Sequence, residues 1–269
     1  MTHSGKQGNI DLDITNNIRE KKEFKDHCIK WSEYASRLNY VHNLSWMGRP
    51  ILQVPQDIYA IQELCWLIKP DLIIETGVAY GGSLILSASL LAMLDYCDAV
   101  ETNTMIDPIA SKRKVIGIDV EIRKHNREAI ESHPLNHMIK LIEGSSIDPD
   151  VISDVIEKAK FYKKILVFLD SNHTHSHVLA ELKAYAPLVS HGSYCVVWDT
   201  GIDDFPDGFV TDRPWGKGNN PKTALVYYLK NLEKDGRDRF GMPINFVIDK
   251  DIESKIMITA ASDGFLKRI

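Results

Sequence analysis

DLIIETGVAYGGSLILSASLLAMLD, residues 71–95, carries two patterns in succession. DLIIET is a short apolar run closed by an acid and a threonine, which predicts a buried strand. SLILSASLLAML is longer and apolar, which predicts a core helix. Between them lies ETGVAYGGS (75–83). There Gly77, Gly81 and Gly82 let the backbone turn tightly and approach a ligand closely, and the helix that follows aims its first amides at that ligand. A strand, a glycine turn and a helix form the opening unit of a parallel α/β sheet.

Read outward, the alternation repeats. VIGIDV (115–120), HMIKLIEG (137–144), KILVFLD (164–170) and SYCVVWD (193–199) read as strands, each followed by an amphipathic helical segment. PINFVID (243–249) and SKIMITAA (254–261) add two strands with no helix between them, expected to pair as an antiparallel hairpin at one edge. The expected fold is α/β, a Rossmann-like, doubly wound, mostly parallel seven-stranded sheet. YCDAVETNTMIDPIASKRK (96–114) reads as a polar insertion before the second strand. Ahead of the sheet, residues 1–44 read as a polar arm and a helix over EFKDHCIKWSEYASRL (23–38), and residues 45–269 as the domain. In WMGRPILQVPQD (46–57) two prolines and a glycine break regularity; a helix over 56–68 follows, with Ile58, Ile61, Leu64, Cys65 and Ile68 on one face.

The composition is that of a globular protein, with 44% hydrophobic and 26% charged residues in 269. A net charge of −5 supplies no basic field for nucleic acid or an anionic membrane, so neither is expected as a partner. Four scattered cysteines without a C-x-x-C pair point to a reducing compartment. MTHSGKQGNIDLDITNN lacks the apolar core of a signal peptide, and SLILSASLLAML is too short to span a bilayer. A cytoplasmic protein is expected, with a homo-oligomer left open.

Ligands of open α/β sheets bind outside the carboxyl ends of the strands. At the first strand end, Gly77, Ala79 and Gly82 fit a dinucleotide turn with one substitution. Glu75, Gly77, Ala79 and Gly81 fit the acidic-x-G-x-G-x-G turn of S-adenosylmethionine enzymes equally well. Glu75 decides between them: a carboxylate there repels a pyrophosphate and welcomes the cationic amino end of S-adenosylmethionine. Asp119 ends the second strand, where an acid accepts both ribose hydroxyls. Ser145 and Ser146, after the third, can face an adenine edge. The fourth strand ends in LDSNHTHSH (169–177), with Asp170 at its tip, His173 in the turn and Thr174 as the expected helix cap. His175 and His177 read as solvated helix residues, and a zinc site is not expected without further ligands. Asp199 ends the neighbouring fifth strand. Two adjacent carboxylates call for a cation or a proton between them, and for a cation an all-oxygen set favours magnesium or another divalent hard ion. In the loop DDFPDGFVTDRPWGKGNNPK (203–222), Arg213, Trp215 and Lys217 could hold a polar, ring-shaped substrate.

WMGRPILQVPQD, IIETGVAYGGS, VIGIDVEIRKHNREAIESHP, IEGSSID, LDSNHTHSHVLAELKAYAPLVSHGSY, RPWGKGNNPKTA and ITAASDGFLKR together resemble the cephalosporin hydroxylase family, from about Ser45 to the end. That family is similar to class I S-adenosylmethionine-dependent methyltransferases, in particular to metal-dependent sugar O-methyltransferases. The resemblance implies cofactor contacts at Glu75, Gly77, Ala79, Gly81, Ser83, Asp119, Ser145, Ser146 and Asp170. It implies metal ligands at Asp170 and Asp199, and His173 as general base. Relatives carry two adjacent acids after the fifth strand; here the pair is Trp198-Asp199, with Asp203 or Asp204 as stand-ins for the missing acid. The expected function is O-methylation of a hydroxyl on a small molecule or sugar. The alternatives are a hydroxylase, which the family's name suggests, a silent cofactor-binding partner favoured by Trp198, and a nicotinamide oxidoreductase disfavoured by Glu75.

Overall fold

A computed structural model describes Asn17, Ile18 and residues 20–269; most of the expected polar arm lies outside them. The central sheet has seven strands: β3 (Leu72–Thr76), β4 (Lys114–Asp119), β5 (Ile139–Glu143), β6 (Ile165–Leu169), β7 (Tyr194–Val197), β8 (Phe246–Ile248) and β9 (Phe265–Arg268). Their spatial order is β5-β4-β3-β6-β7-β9-β8. The first five are parallel and β9 is antiparallel to both neighbours. The chain runs outward from β3 to β5 and then returns to lay β6 against β3. That reversal opens a crevice at the carboxyl ends of β3 and β6, the place where such sheets bind ligands.

Helices cover both faces. α2 (Pro55–Ile68) and α3 (Gly82–Thr102) pack on one, joined by a core of Ile61, Leu64, Ile73, Leu84 and Phe168. α5 (Pro149–Ala159), α6 (His175–Tyr185) and α7 (Pro221–Asp235) pack on the other, over Leu72, Val167, Leu182 and Leu225. Strands buried on both sides explain the unbroken apolar runs. α1 (Lys22–Arg37) precedes them, and α4 (Lys124–Glu131) follows β4. A two-residue hairpin, β1 (Ser45–Trp46) and β2 (Arg49–Pro50), turns at Met47 and Gly48, both with positive φ. It is tied to α3, the glycine turn and α4: Trp46 Nε1 donates to Ser89 Oγ at 3.0 Å, and Arg49 donates to the Tyr80 carbonyl and to Asn126 Oδ1.

Three expectations need correction. SKIMITAA is not a strand. Asp249 accepts hydrogen bonds from the amides of Asp251 and Ile252 and starts α8 (Lys250–Ile256), which buries Ile252 and Ile256 one turn apart. The edge partner of β8 is instead FLKR, whose Arg268 is sheltered by the Asp238 carboxylate and the Val189 carbonyl. The insertion begins as helix, because α3 continues to Thr102. At 21 residues α3 is long and apolar enough to cross a membrane by length and composition; here it packs on the sheet through Leu84, Ile85, Leu86, Leu91 and Leu94.

Candidate active site

The crevice is built by close backbone approaches. The Asp170 amide donates to the Thr76 carbonyl at 3.0 Å, so the β6 tip lies against the glycine turn. Gly77 has φ +90°, and a Cβ there would stand 2.0 Å from the Asp170 carbonyl oxygen. A Cβ on Gly82 would stand 2.2 Å from the Pro50 carbonyl oxygen, which seats the β1–β2 hairpin on the start of α3. These glycines let protein segments touch one another beside the ligand position. Ala79 also takes positive φ, and its carbonyl accepts from Asn126 Nδ2 at 3.0 Å.

The side chains expected to serve a cofactor fall into two groups. Asp119 stands beside the turn, and its Oδ2 accepts from the amides of Val78 (2.8 Å) and Ala79 (3.2 Å), holding the loop in shape. Glu75 is buried beneath the turn, 3% exposed, with Ser83 and Ser87 as hydrogen-bond donors. Burial pushes its carboxyl up to about 7 despite those serines. Ser145 closes a tight turn through its carbonyl, which accepts from the Asp148 amide at 2.9 Å. Ser146 turns inward, and its Oγ donates to buried Glu181 at 2.5 Å and lies 2.9 Å from His177 Nε2. Ser171 Oγ donates to the same Glu181 oxygen at 2.6 Å. Glu181 therefore clamps the loop after β5 to the loop after β6.

Asp170, His173 and Asp199 converge, with candidate ligand atoms all within 4.8 Å of one another. His173 Nε2 lies 3.4 Å from Asp199 Oδ2. Gln53 Nε2 donates to Asp170 Oδ2 at 3.1 Å. Burial, followed by the charges of Asp199, Glu75, Glu181 and Asp57, holds the Asp170 carboxyl well above the usual carboxylate range. Asp57 is fully buried; burial raises it to about 7, against hydrogen bonds from Thr259 and the Ala260 amide. Neighbouring acids in a half-buried pocket are the chemistry of a cation site. The donor set fits a divalent ion held by two carboxylates with an imidazole at hand.

Several expected side chains do other work. Trp198 is 2% exposed and lies between Phe168 and Phe265, so position 198 faces the core rather than the crevice. Asp203 accepts from the Gly218 amide and Asn220 Nδ2, and Asp204 pairs with Lys222, so neither stands in as a ligand. Thr174 sits at the cap position of α6 without capping it; Asn172 accepts from the Thr174 amide and Asn219 from the His175 amide. His175 and His177 are not solvated. His175 Nδ1 meets Thr223 Oγ1 at 2.9 Å and its ring packs on Tyr227, while His177 belongs to the Glu181 clamp. In the long loop, Trp215 reaches the site, its ring 4.9 Å from that of His173. Arg213 lies over the Trp215 ring, and Lys217 turns away to Asp207.

Gln53, Asp57 and Glu181 were not singled out from the sequence, and His177 was read there as a solvated helix residue. Asp57 had a signal: it lies four residues before Ile61, on the face that Ile61, Cys65 and Ile68 bury. An acid on an apolar helix stripe is costly unless it has a task. Glu181 likewise follows Val178 by three and precedes Leu182 and Tyr185 on the buried side of α6.

Residues 38–269 match the family described as Rhamnosyl O-methyltransferase/CmcI. The chain is similar to a rhamnosyl O-methyltransferase of Mycobacterium tuberculosis, with 30% identity over 239 residues, 85% of this chain and 82% of the relative. It is also similar to the rhamnosyl O-methyltransferase of Mycobacterium leprae, with 28% identity covering 86% of each. Among solved structures, the apo form of CmcI shares the fold, with a TM-score of 0.51 and 17% identity over 85% of this chain and 77% of that one. The chain thus belongs to the rhamnosyl O-methyltransferase/CmcI family.

Proposed function

We propose that this O-methyltransferase moves the methyl group of S-adenosylmethionine to a sugar hydroxyl at the Asp170–His173–Asp199 cluster. The observation that carries the reading is the juxtaposition of these three groups with the glycine turn at the sheet's switch point. When bound, the cofactor supplies an activated methyl and a divalent ion supplies Lewis acidity toward the acceptor oxygen. Asp170 and Asp199 would hold the ion; Glu75, the turn from Gly77 to Ser83, Asp119 and the Ser145–Ser146 loop would hold the cofactor. The chain's own task is alignment and proton removal. His173, packed edge-on against Trp215 and beside Asp199, is placed to take the hydroxyl proton, and Asp199 would stabilise the imidazolium that results. Trp215 offers the apolar face of an indole to a sugar ring at the same point.

A second role for His173 is favoured by its position inside the 4.8 Å cluster: it could be the third ligand to the ion. Manganese affinity separates the two, since His173→Ala leaves it unchanged if His173 is the base and weakens it if His173 is a ligand. A hydroxylase would need an iron set of two histidines and a carboxylate, for which this sheet end offers His173, His177 and Asp170; His177 is engaged with Ser146, Ser171 and Glu181 instead. The silent-partner alternative rested on Trp198, which lies in the core while Asp170 and Asp199 still converge. Calorimetric titration with S-adenosylhomocysteine tests the cofactor, and transfer of labelled methyl from S-adenosylmethionine to a panel of glycosides tests the reaction. Stabilisation by NADH without stabilisation by the homocysteine would reverse the assignment.

A further inference from the structure

His177, Glu181 and Tyr185 follow one another at four-residue intervals on α6, so they form a polar stripe down one face of the helix. The stripe is turned inward, with Glu181 and Tyr185 fully buried. Its partners are loops from two different strand ends. Ser146, in the loop after β5, donates its hydroxyl to Glu181 Oε1 at 2.5 Å, and its carbonyl accepts from the Tyr185 hydroxyl at 2.6 Å. Ser171 directly follows Asp170 and donates to the same Oε1 at 2.6 Å. Both hydroxyl protons are thereby directed at Glu181. His177 Nε2, 2.9 Å from Ser146 Oγ and 3.2 Å from Ser171 Oγ, then meets only their lone pairs and is the protonated nitrogen of its ring.

A buried carboxylate is a costly way to hold two loops together, since an apolar contact would do so without desolvating a charge. Glu181 Oε2 has no hydrogen-bond partner among the described residues, so the side chain's polar contacts are concentrated on Oε1. A shared acceptor supplies what an apolar contact does not: neither serine can shift without disturbing the oxygen that holds the other. Ser146 lies in the loop given to the cofactor, and Ser171 adjoins the residue given to the ion.

We propose that Glu181 is a positioning residue that couples the cofactor and metal halves of the site, so that cofactor and divalent ion each tighten the binding of the other. The inference rests on the methyltransferase reading. A ligand that orders one loop fixes Glu181 and through it the second loop, which lowers the ordering cost met by the second ligand. Linkage makes the effect equal in both directions.

The test is calorimetry on the full-length protein with manganese and S-adenosylhomocysteine as probes, each titrated with and without saturating amounts of the other. The homocysteine lacks the sulfonium charge, so direct repulsion of the ion does not mask the effect. Each probe should tighten the other by at least about fivefold. Ser146→Ala and Ser171→Ala should bring that factor close to one, and Ser171→Ala should leave affinity for S-adenosylhomocysteine measured without metal unchanged. Glu181→Gln keeps an oxygen to accept from both serines and should retain the coupling, whereas Glu181→Leu should lose it; thermal unfolding shows which variants fold, and the two serine variants decide the matter if the leucine variant does not. Independent binding of the two probes by the parent protein overturns the proposal, as does coupling that persists in both serine variants. Loss of coupling in Glu181→Gln as complete as in the serine variants overturns the shared hydrogen bonds as its cause. With both probes bound by the parent protein, these failures touch Glu181 alone; failure of S-adenosylhomocysteine to bind the parent protein removes the reading beneath it as well.

Discussion

Binding of a divalent ion at Asp170 and Asp199 should release a proton, and its affinity should therefore climb with pH. Burial and the charges of Asp199, Glu75, Glu181 and Asp57 all favour the protonated form of Asp170. An ion needs that carboxylate ionised, so at acid pH it competes with the proton. One proton displaced per ion makes the dissociation constant fall tenfold for each pH unit, or about 1.4 kcal/mol, and the slope flattens once the carboxyl is ionised in the free protein. The gain should approach that tenfold limit at the acid end of the titration, where the raised Asp170 carboxyl is still protonated in the free protein. Manganese titration by calorimetry, in two buffers of different ionisation enthalpy, counts the protons directly. Asp170→Asn, which keeps the shape and removes the charge, should abolish both the binding and the proton release. Affinity that is flat from pH 6 to 8, with no proton released, would refute the argument, because it would mean that the carboxylates already tolerate one another without an ion.

Trp198→Glu should not create a better metal site; it places a carboxylate between Phe168 and Phe265, and chemical denaturation should show a loss of about 3–5 kcal/mol. His173→Ala should lower turnover by about 10²–10⁴-fold with S-adenosylhomocysteine affinity kept, whereas His175→Ala, which loses only the Thr223 and Tyr227 contacts, should cost far less turnover and appear mainly as reduced thermal stability. Asp57 and Glu75 each hold their proton up to about 7 in the fold and release it near 4 when unfolded. The folded state thus binds more protons between those values, and the melting temperature of the ligand-free protein should fall as pH rises from about 4 through 7.

The sheet was legible because β3, β4, β6 and β7 are buried on both faces and read as unbroken apolar runs, while the edge strand β5 is only half-buried. The far edge was harder to read. SKIMITAA has apolar residues at alternate positions, but the Asp249 cap competes for the same stretch and wins, while FLKR carries two basic residues that the Asp238 carboxylate, at Arg268, and the Tyr194 ring, under Lys267, make tolerable in a strand. At the site, strand ends identified Asp170, His173 and Asp199 because β6 and β7 are neighbours, and adjacency follows from topology. Side-chain direction did not follow. Asp199 takes a left-handed φ of 56°, at the point where the chain leaves β7, so a one-dimensional reading could not tell that Trp198 enters the core. Partners contributed by distant segments, such as Gln53 on Asp170 and Asn219 on the start of α6, leave no local pattern.

The acids around the crevice bear on which cofactor it can accept. Glu75 and Asp57 are buried, Asp170 and Asp199 meet above them, and Glu181 closes the far side, so five carboxyl groups share one end of the sheet. Gln53 reaches Asp170 as a neutral donor. The nearby lysines, Lys222 and Lys250, are spent on Asp204, Asp263 and Glu253. In a site of low dielectric this arrangement resists every added negative charge, which tells against a pyrophosphate lying on the glycine turn. A sulfonium with a cationic amino group reverses the sign of the interaction, and a divalent ion between Asp170 and Asp199 acts in the same favourable direction. Burial alone raises the proton affinity of Glu75, whereas Asp57 and above all Asp170 are also raised by neighbouring acids, so a bound cation should draw the Asp170 carboxyl down most.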